Sequence, residues 1–169
     1  FNQDGSDENN SLVFTIVPPP DTTPPKEISY EITYFGNAKS QGDSIKLSNG
    51  NQSISQHLLE EGLGIGFNTL DTDLNSSKKA TNATEGAGFK ASWQANIGDT
   101  ISFDYKFKSY DYAPYSDFSF YSINQNAYSL VALGEKNVSN GITTGNFSHT
   151  ISDKDLTNNS VEALSFSIG

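Results

Sequence analysis

Residues 100–108 read TISFDYKFK, and no other stretch limits the fold so tightly. Ile101, Phe103, Tyr105 and Phe107 alternate with Ser102, Asp104, Lys106 and Lys108. A period of two puts the first set on one face of an extended chain and the second on the other. One face therefore meets a core and the other meets water. A helix has no use for this pattern, because its apolar stripe recurs every three to four residues. Residues 28–34 alternate likewise, with Ile28, Tyr30, Ile32 and Tyr34 against Ser29, Glu31 and Thr33. So do residues 88–95, where Phe89, Ala91, Trp93 and Ala95 share a face. Shorter apolar runs follow in AYSLVAL, NFSHTI and VEALSFSI.

Gly, Ser, Asn, Thr and Asp punctuate the chain every few residues, which is turn chemistry between short strands. Asn49-Gly50 lies between two alternating runs and predicts a hairpin there. Gly98-Asp99 predicts a turn before residues 100–108. One short helix is expected, opened by Ser55 as N-cap, running through QHLLEEG and stopped by Gly62. Residues 62–86 read as a loop. The expected fold is all-β, a two-sheet antiparallel β-sandwich, jelly-roll-like, with one short helix.

Three segments divide the chain. Residues 1–17 hold an acidic opening and a strand, Ser11 to Val17, whose Leu12, Phe14 and Ile16 alternate with Val13, Thr15 and Val17. Both faces of that strand are largely apolar, so it needs cover on both. Residues 18–26 read PPPDTTPPK, a stiff, extended tether that cannot sit inside a sheet. Residues 27–169 form the sandwich domain.

A chain of 169 residues suits one domain with a core of its own. Its 11 Phe and 8 Tyr predict an aromatic core, since each ring removes a large area from water. The net charge of −10 disfavours nucleic acid and anionic membranes as partners, and favours divalent cations or simply an acidic, solvated surface. With no Cys, disulfides and thiolate metal sites are excluded. No apolar run reaches the roughly 18 residues of a membrane span. The chain begins at Phe1, which reads as a processed chain or a fragment.

Chemistry concentrates in YDYAPYSDFSFYSI, residues 110–123. Pro114 between Asp111 and Asp117 reads as a turn. The strand after it puts Phe118 and Phe120 on one face and Tyr121 and Ile123 on the other. Tyr112 and Tyr115 beside carboxylates have the make-up of a sugar- or peptide-stacking rim. Asp111 and Asp117, with Asp71 and Asp73 in an i, i+2 pair and Glu85, are the candidate Ca²⁺ ligands, because that ion gathers six to eight carboxylate and carbonyl oxygens. Catalytic readings fare worse. His57 and His149 lack metal spacing, no nucleophile elbow accompanies the many serines, and GLGIG at 62–66 neither follows a strand nor precedes a Lys.

From Ala80 the chain runs ATNATEGAGFKASWQANIGDTISFDYKFKSYDYAPYSDFSFYSIN, then YSLVAL, then TTGNFSHTIS. This order resembles a β-sandwich module of bacterial surface proteins, including RTX-type adhesins with calcium-dependent ligand-binding modules. The resemblance covers residues 35–169. It implies an extracellular, non-catalytic role in adhesion, Ca²⁺ as cofactor, and a surface glycan or peptide as partner. In the family a further strand follows FSIG, where this chain stops: either the fragment is cut there, another module is inserted there, or the open sandwich edge is completed by something else. An alternative follows: a subunit of an extracellular filament, in which Leu12, Phe14 and Ile16 form a donor strand for a neighbouring copy. A carbohydrate-binding module using Tyr112, Tyr115 and Trp93 is a third reading.

Overall fold

A computed structural model describes residues 11–17, 30–71, 83–108, 117–131, 142–156 and 161–168. The first sheet contains β1 (Ser11–Val17), β3 (Ala38–Gln41), β4 (Ser44–Leu47), β7 (Thr100–Lys108) and β10 (Ile142–Thr150), in the order β10-β7-β1-β4-β3. The second contains β2 (Tyr30–Phe35), β6 (Glu85–Trp93), β8 (Ser119–Ile123), β9 (Asn126–Val131) and β11 (Val161–Ile168), in the order β2-β6-β11-β8-β9. The two-residue β5 (Ile54–Ser55) adds to β6 and leads into α1 (Gln56–Leu63). Every pairing is antiparallel. The expected all-β fold with one short helix is what forms.

The two sheets share one core. Ile45, Leu47, Ile101, Phe103, Phe107 and Phe147 come from the first; Phe89, Ala91, Trp93, Ile123 and Val131 come from the second. The alternation of residues 100–108 is realised in β7: Ile101, Phe103 and Phe107 are buried, while Asp104 is exposed. Trp93 belongs to this core, which removes it from the carbohydrate-stacking set.

The second sheet is covered on its outer face too. Leu59 and Leu63 of α1, with Ile65 and Leu70 beyond it, pack against Phe118 and Phe120. Strand β8 thus loses alternation of burial, and it divides its side chains as its sequence predicts, with Phe118 and Phe120 outward and Tyr121 and Ile123 inward. Gln56, Leu59, Glu60 and Leu63 are the buried positions of α1, a helical i, i+3, i+4, i+7 stripe. The helix does not stop at Gly62. It runs to Leu63 and is capped by Gly64 in the left-handed conformation, φ 76°, whose N–H bonds the carbonyls of Glu60 and Glu61. Gly62 serves packing instead, since a Cβ there would collide with the Phe35 ring.

The hairpin also lies elsewhere than expected. Gly42-Asp43 joins β3 to β4, with Gln41 paired to Ser44. Asn49-Gly50 turns the chain from the first sheet toward β5, which pairs with β6 of the second. Gly98-Asp99 does turn the chain, but as an arch between sheets. Asp99 fixes it, accepting the Asn96 N–H at 2.7 Å and bonding through its own carbonyl to the Ile151 N–H, also at 2.7 Å.

Strand β1 lies inside the sheet of its own chain. Leu12–Val17 pair with Thr100–Tyr105 of β7, and Ser11–Val13 pair with Ser44–Lys46 of β4. The Leu12, Phe14 and Ile16 positions stand opposite Tyr105, Phe103 and Ile101, the core row of β7. The place filled is therefore interior to the sheet and not at an edge.

The registers define two poles. At the arch pole lie residues 94–99, Val17, Tyr30, Thr150 and Val161. At the opposite pole lie Ser11, Lys108, Ser119, Val131, Ile142 and Ile168.

Candidate functional site

Strands β6 and β8 both begin at the pole opposite the arch. Strands β6 and β8 flank β11 there, with Ala87 and Ser119 both paired to Ile168. Glu85 and Asp117 stand two residues before those positions, so the fold brings these two acids to the same pole, on alternate strands. Alternate strands are about 9–10 Å apart. Asp73, Asp111, Tyr112 and Tyr115 lie outside the described residues. Asp71 ends the short 3₁₀ turn Thr69–Asp71 after α1. Among the described residues, no three of His, Cys, Asp and Glu gather closely enough to hold a metal ion.

Asp117 nonetheless has a suggestive neighbour. Asn49 Nδ2 donates to Asp117 Oδ1 at 2.8 Å and ties the turn after β4 to the start of β8. The Asn49 Oδ1 atom is buried and accepts no hydrogen bond. A buried amide oxygen without a donor costs about 1–3 kcal/mol. An amide oxygen next to a carboxylate is the donor set a hard cation takes. Both are ligand types that Ca²⁺ takes, although two groups fall short of the six to eight oxygens it gathers.

A second polar centre sits under α1. Glu60 is buried, and its carboxylate accepts the Asn68 N–H, the Leu70 N–H and Gln56 Nε2 at 2.9, 2.9 and 3.1 Å. It pins the chain that returns over the outer face of the second sheet. The signal was present in the sequence: an acid on the apolar stripe of a helix must find donors when buried. Next to it, His57 stacks on Phe67 with ring centroids 4.4 Å apart. Phe67 is 73% exposed and Leu58 56%.

The third centre is at the arch pole. Asp155 Oδ2 accepts Ser152 Oγ at 2.7 Å and the Ser152 N–H at 2.8 Å, and lies 3.2 Å from His149 Nε2. Burial alone would push this carboxyl up. The hydrogen bonds from Ser152, then the bond to His149 and its charge, outweigh it and hold Asp155 below the usual carboxylate range. The members resemble a catalytic triad in name only. In a triad the imidazole stands between serine and carboxylate and takes the hydroxyl proton. Here the carboxylate stands between, and the unit is a capping box closing the 3₁₀ turn Asp153–Asp155. The spacing Ser-x-x-Asp is its signature in the sequence.

An aromatic seam closes the sandwich between β9 and β10. Tyr128 stacks on Tyr121 at 5.2 Å, Tyr121 meets Phe147 at 4.5 Å, and Phe147 stacks on Phe103 at 4.7 Å. Burial first, and then Tyr128, push the Tyr121 hydroxyl above the ordinary phenol range. No family model, curated protein or solved structure matches the chain.

Proposed function

We propose that this chain is a non-catalytic, extracellular β-sandwich module of a bacterial surface protein. It holds Ca²⁺ at the pole where Asp117 and Asn49 meet, and it contacts a surface glycan or peptide through the connection carrying Tyr112 and Tyr115. One observation carries the reading: the orphaned, buried Asn49 oxygen beside a carboxylate. That carboxylate directly follows the acid- and tyrosine-rich residues 110–116. A cation there would satisfy the amide oxygen, draw in Asp111, and order the tyrosines for stacking. The motif order from Ala80 onward, similar to that of adhesin modules, supports the same assignment, as does the net charge of −10.

Calcium titration of the whole chain, followed by melting, tests it. A ligand that binds only the folded state at a hundredfold excess over its Kd stabilises by about 2.7 kcal/mol. For a chain of this size that is roughly 5–10 °C in Tm. Asp117→Asn and Asn49→Ala should each remove most of the gain. An equal Tm in chelator and in calcium would reject the site.

A further inference from the structure

The chain wraps in a fixed alternation once β4 is laid down. It passes from β4 in the first sheet to β6 in the second, back to β7, over to β8 and β9, back to β10, and over to β11. The resulting faces, β4-β1-β7-β10 and β6-β11-β8-β9, have the strand order of an eight-stranded jelly roll. In that wrapping the strand between β4 and β7 is the one reached from β11. Here it is β1, from the other end of the sequence. It runs from the pole of Ile168 toward the arch, antiparallel to both neighbours, the direction a strand entered from Ile168 would take.

Register alone specifies the occupant of this slot. The backbone pairs of β1 with β7 and β4, and the alignment of Leu12, Phe14 and Ile16 with the core row of β7, hold equally for a β1 from any copy. Only the connection 18–29 attaches β1 to its own body. Its twelve residues reach about 40 Å when extended, and a nine-residue strand is about 30 Å long. The connection can therefore close over its own sandwich or pass to an adjacent one. It carries five prolines, and the strands it joins, β1 and β2, lie in different sheets.

We infer that β1 is an exchangeable strand, and that the slot between β7 and β4 is a docking surface for the β1 of a second copy of this chain. Exchange keeps every strand pair and trades an intramolecular occupant for an intermolecular one. The balance is set by protein concentration against the effective concentration of the tethered strand. A copy that gives up its β1 presents an open slot, so exchange links copies in series or closes them into a pair.

Introduced cysteines test this, because the chain has none of its own. Thr15 pairs with Ser102, whereas Lys106 lies four residues further along β7 on the same face. Chains carrying only Thr15→Cys are refolded with chains carrying only Ser102→Cys, over a range of concentrations, and oxidised. The inference expects a disulfide-linked pair whose fraction rises with concentration, with no comparable pair between Thr15→Cys and Lys106→Cys chains. A double variant, Thr15→Cys with Ser102→Cys, should close within one chain when dilute. Closure within the chain at every concentration, with no linked pair, would fix β1 in its own slot and overturn exchange. Equal linkage to Ser102→Cys and Lys106→Cys would mark random surface contact and overturn it as well.

Discussion

Strands β1 and β11 hold matching places in the two sheets. Each is central and each has an antiparallel neighbour on both sides, β7 and β4 for one, β6 and β8 for the other. They reach those places differently. Strand β11 follows β10 after residues 151–160, in the other sheet. Strand β1 comes from the opposite end of the sequence, through a connection long enough to allow other destinations. The surroundings differ as well. The sheet of β11 is covered outside by α1, while that of β1 turns Asp104 and Thr144 to solvent. The lesson is that central position and local attachment are separate properties: both strands are central, but β1 is joined to its body only through the long connection 18–29.

The largest effects should come from the core rows that flank the two strands. Phe103 stands opposite Phe14 of β1, and Phe89 opposite Phe166 of β11; both rings are buried. Phe103→Ala and Phe89→Ala should each cost roughly 3–5 kcal/mol by denaturant melts. A Phe103→Ala cost far below that of Phe89→Ala would mean that β1 contributes less to its sheet than β11 does.

Next comes the cover on the second sheet. Glu60→Ala strands the buried Leu70 N–H and the partly buried Asn68 N–H, and should cost about 2–4 kcal/mol. Amide exchange should quicken at residues 65–71 and stay unchanged in β7 and β10. Uniform quickening would show that the two sheets do not differ in the way argued.

A smaller effect is tied to pH. The folded Asp155 carboxyl titrates below its unfolded value, so its contribution is present above the unfolded carboxylate range, near pH 4, and is lost as pH falls through the folded value. Asp155→Asn should lower Tm at neutral pH and flatten the acid limb of the Tm–pH curve. An unchanged acid limb would remove this capping box from the account. Smallest of all, Lys106→Ala on the outer face of β7 should stay within about 0.5 kcal/mol of the parent.

Most of the sheet architecture was legible in the sequence, because alternation survives wherever one face of a strand meets water, as in TISFDYKFK. Strand β8 was legible for another reason: its two apolar sets, Phe118 with Phe120 and Tyr121 with Ile123, announced cover on both sides. Local punctuation misled where tertiary contact decided the outcome. Gly62 looked like a helix stop but is a close approach to Phe35, and Asn49-Gly50 looked like a hairpin but is a passage between sheets held by Asp117. The candidate site was half legible. Its acids could be named one by one, but bringing Glu85 and Asp117 to one pole depends on both β6 and β8 pairing with β11, a contact between distant parts of the chain that spacing does not encode.

Peptide complementation reads occupancy of the slot between β7 and β4 directly. A chain lacking residues 1–20 should lose much of its stability, because β7 and β4 no longer share a strand. Adding a peptide of residues 1–17, whose acidic opening keeps it soluble, should restore Tm in a saturable way, and a peptide with Phe14 replaced by Asp should not. A truncated chain that melts like the parent and ignores the peptide would show that β1 does not fill this slot.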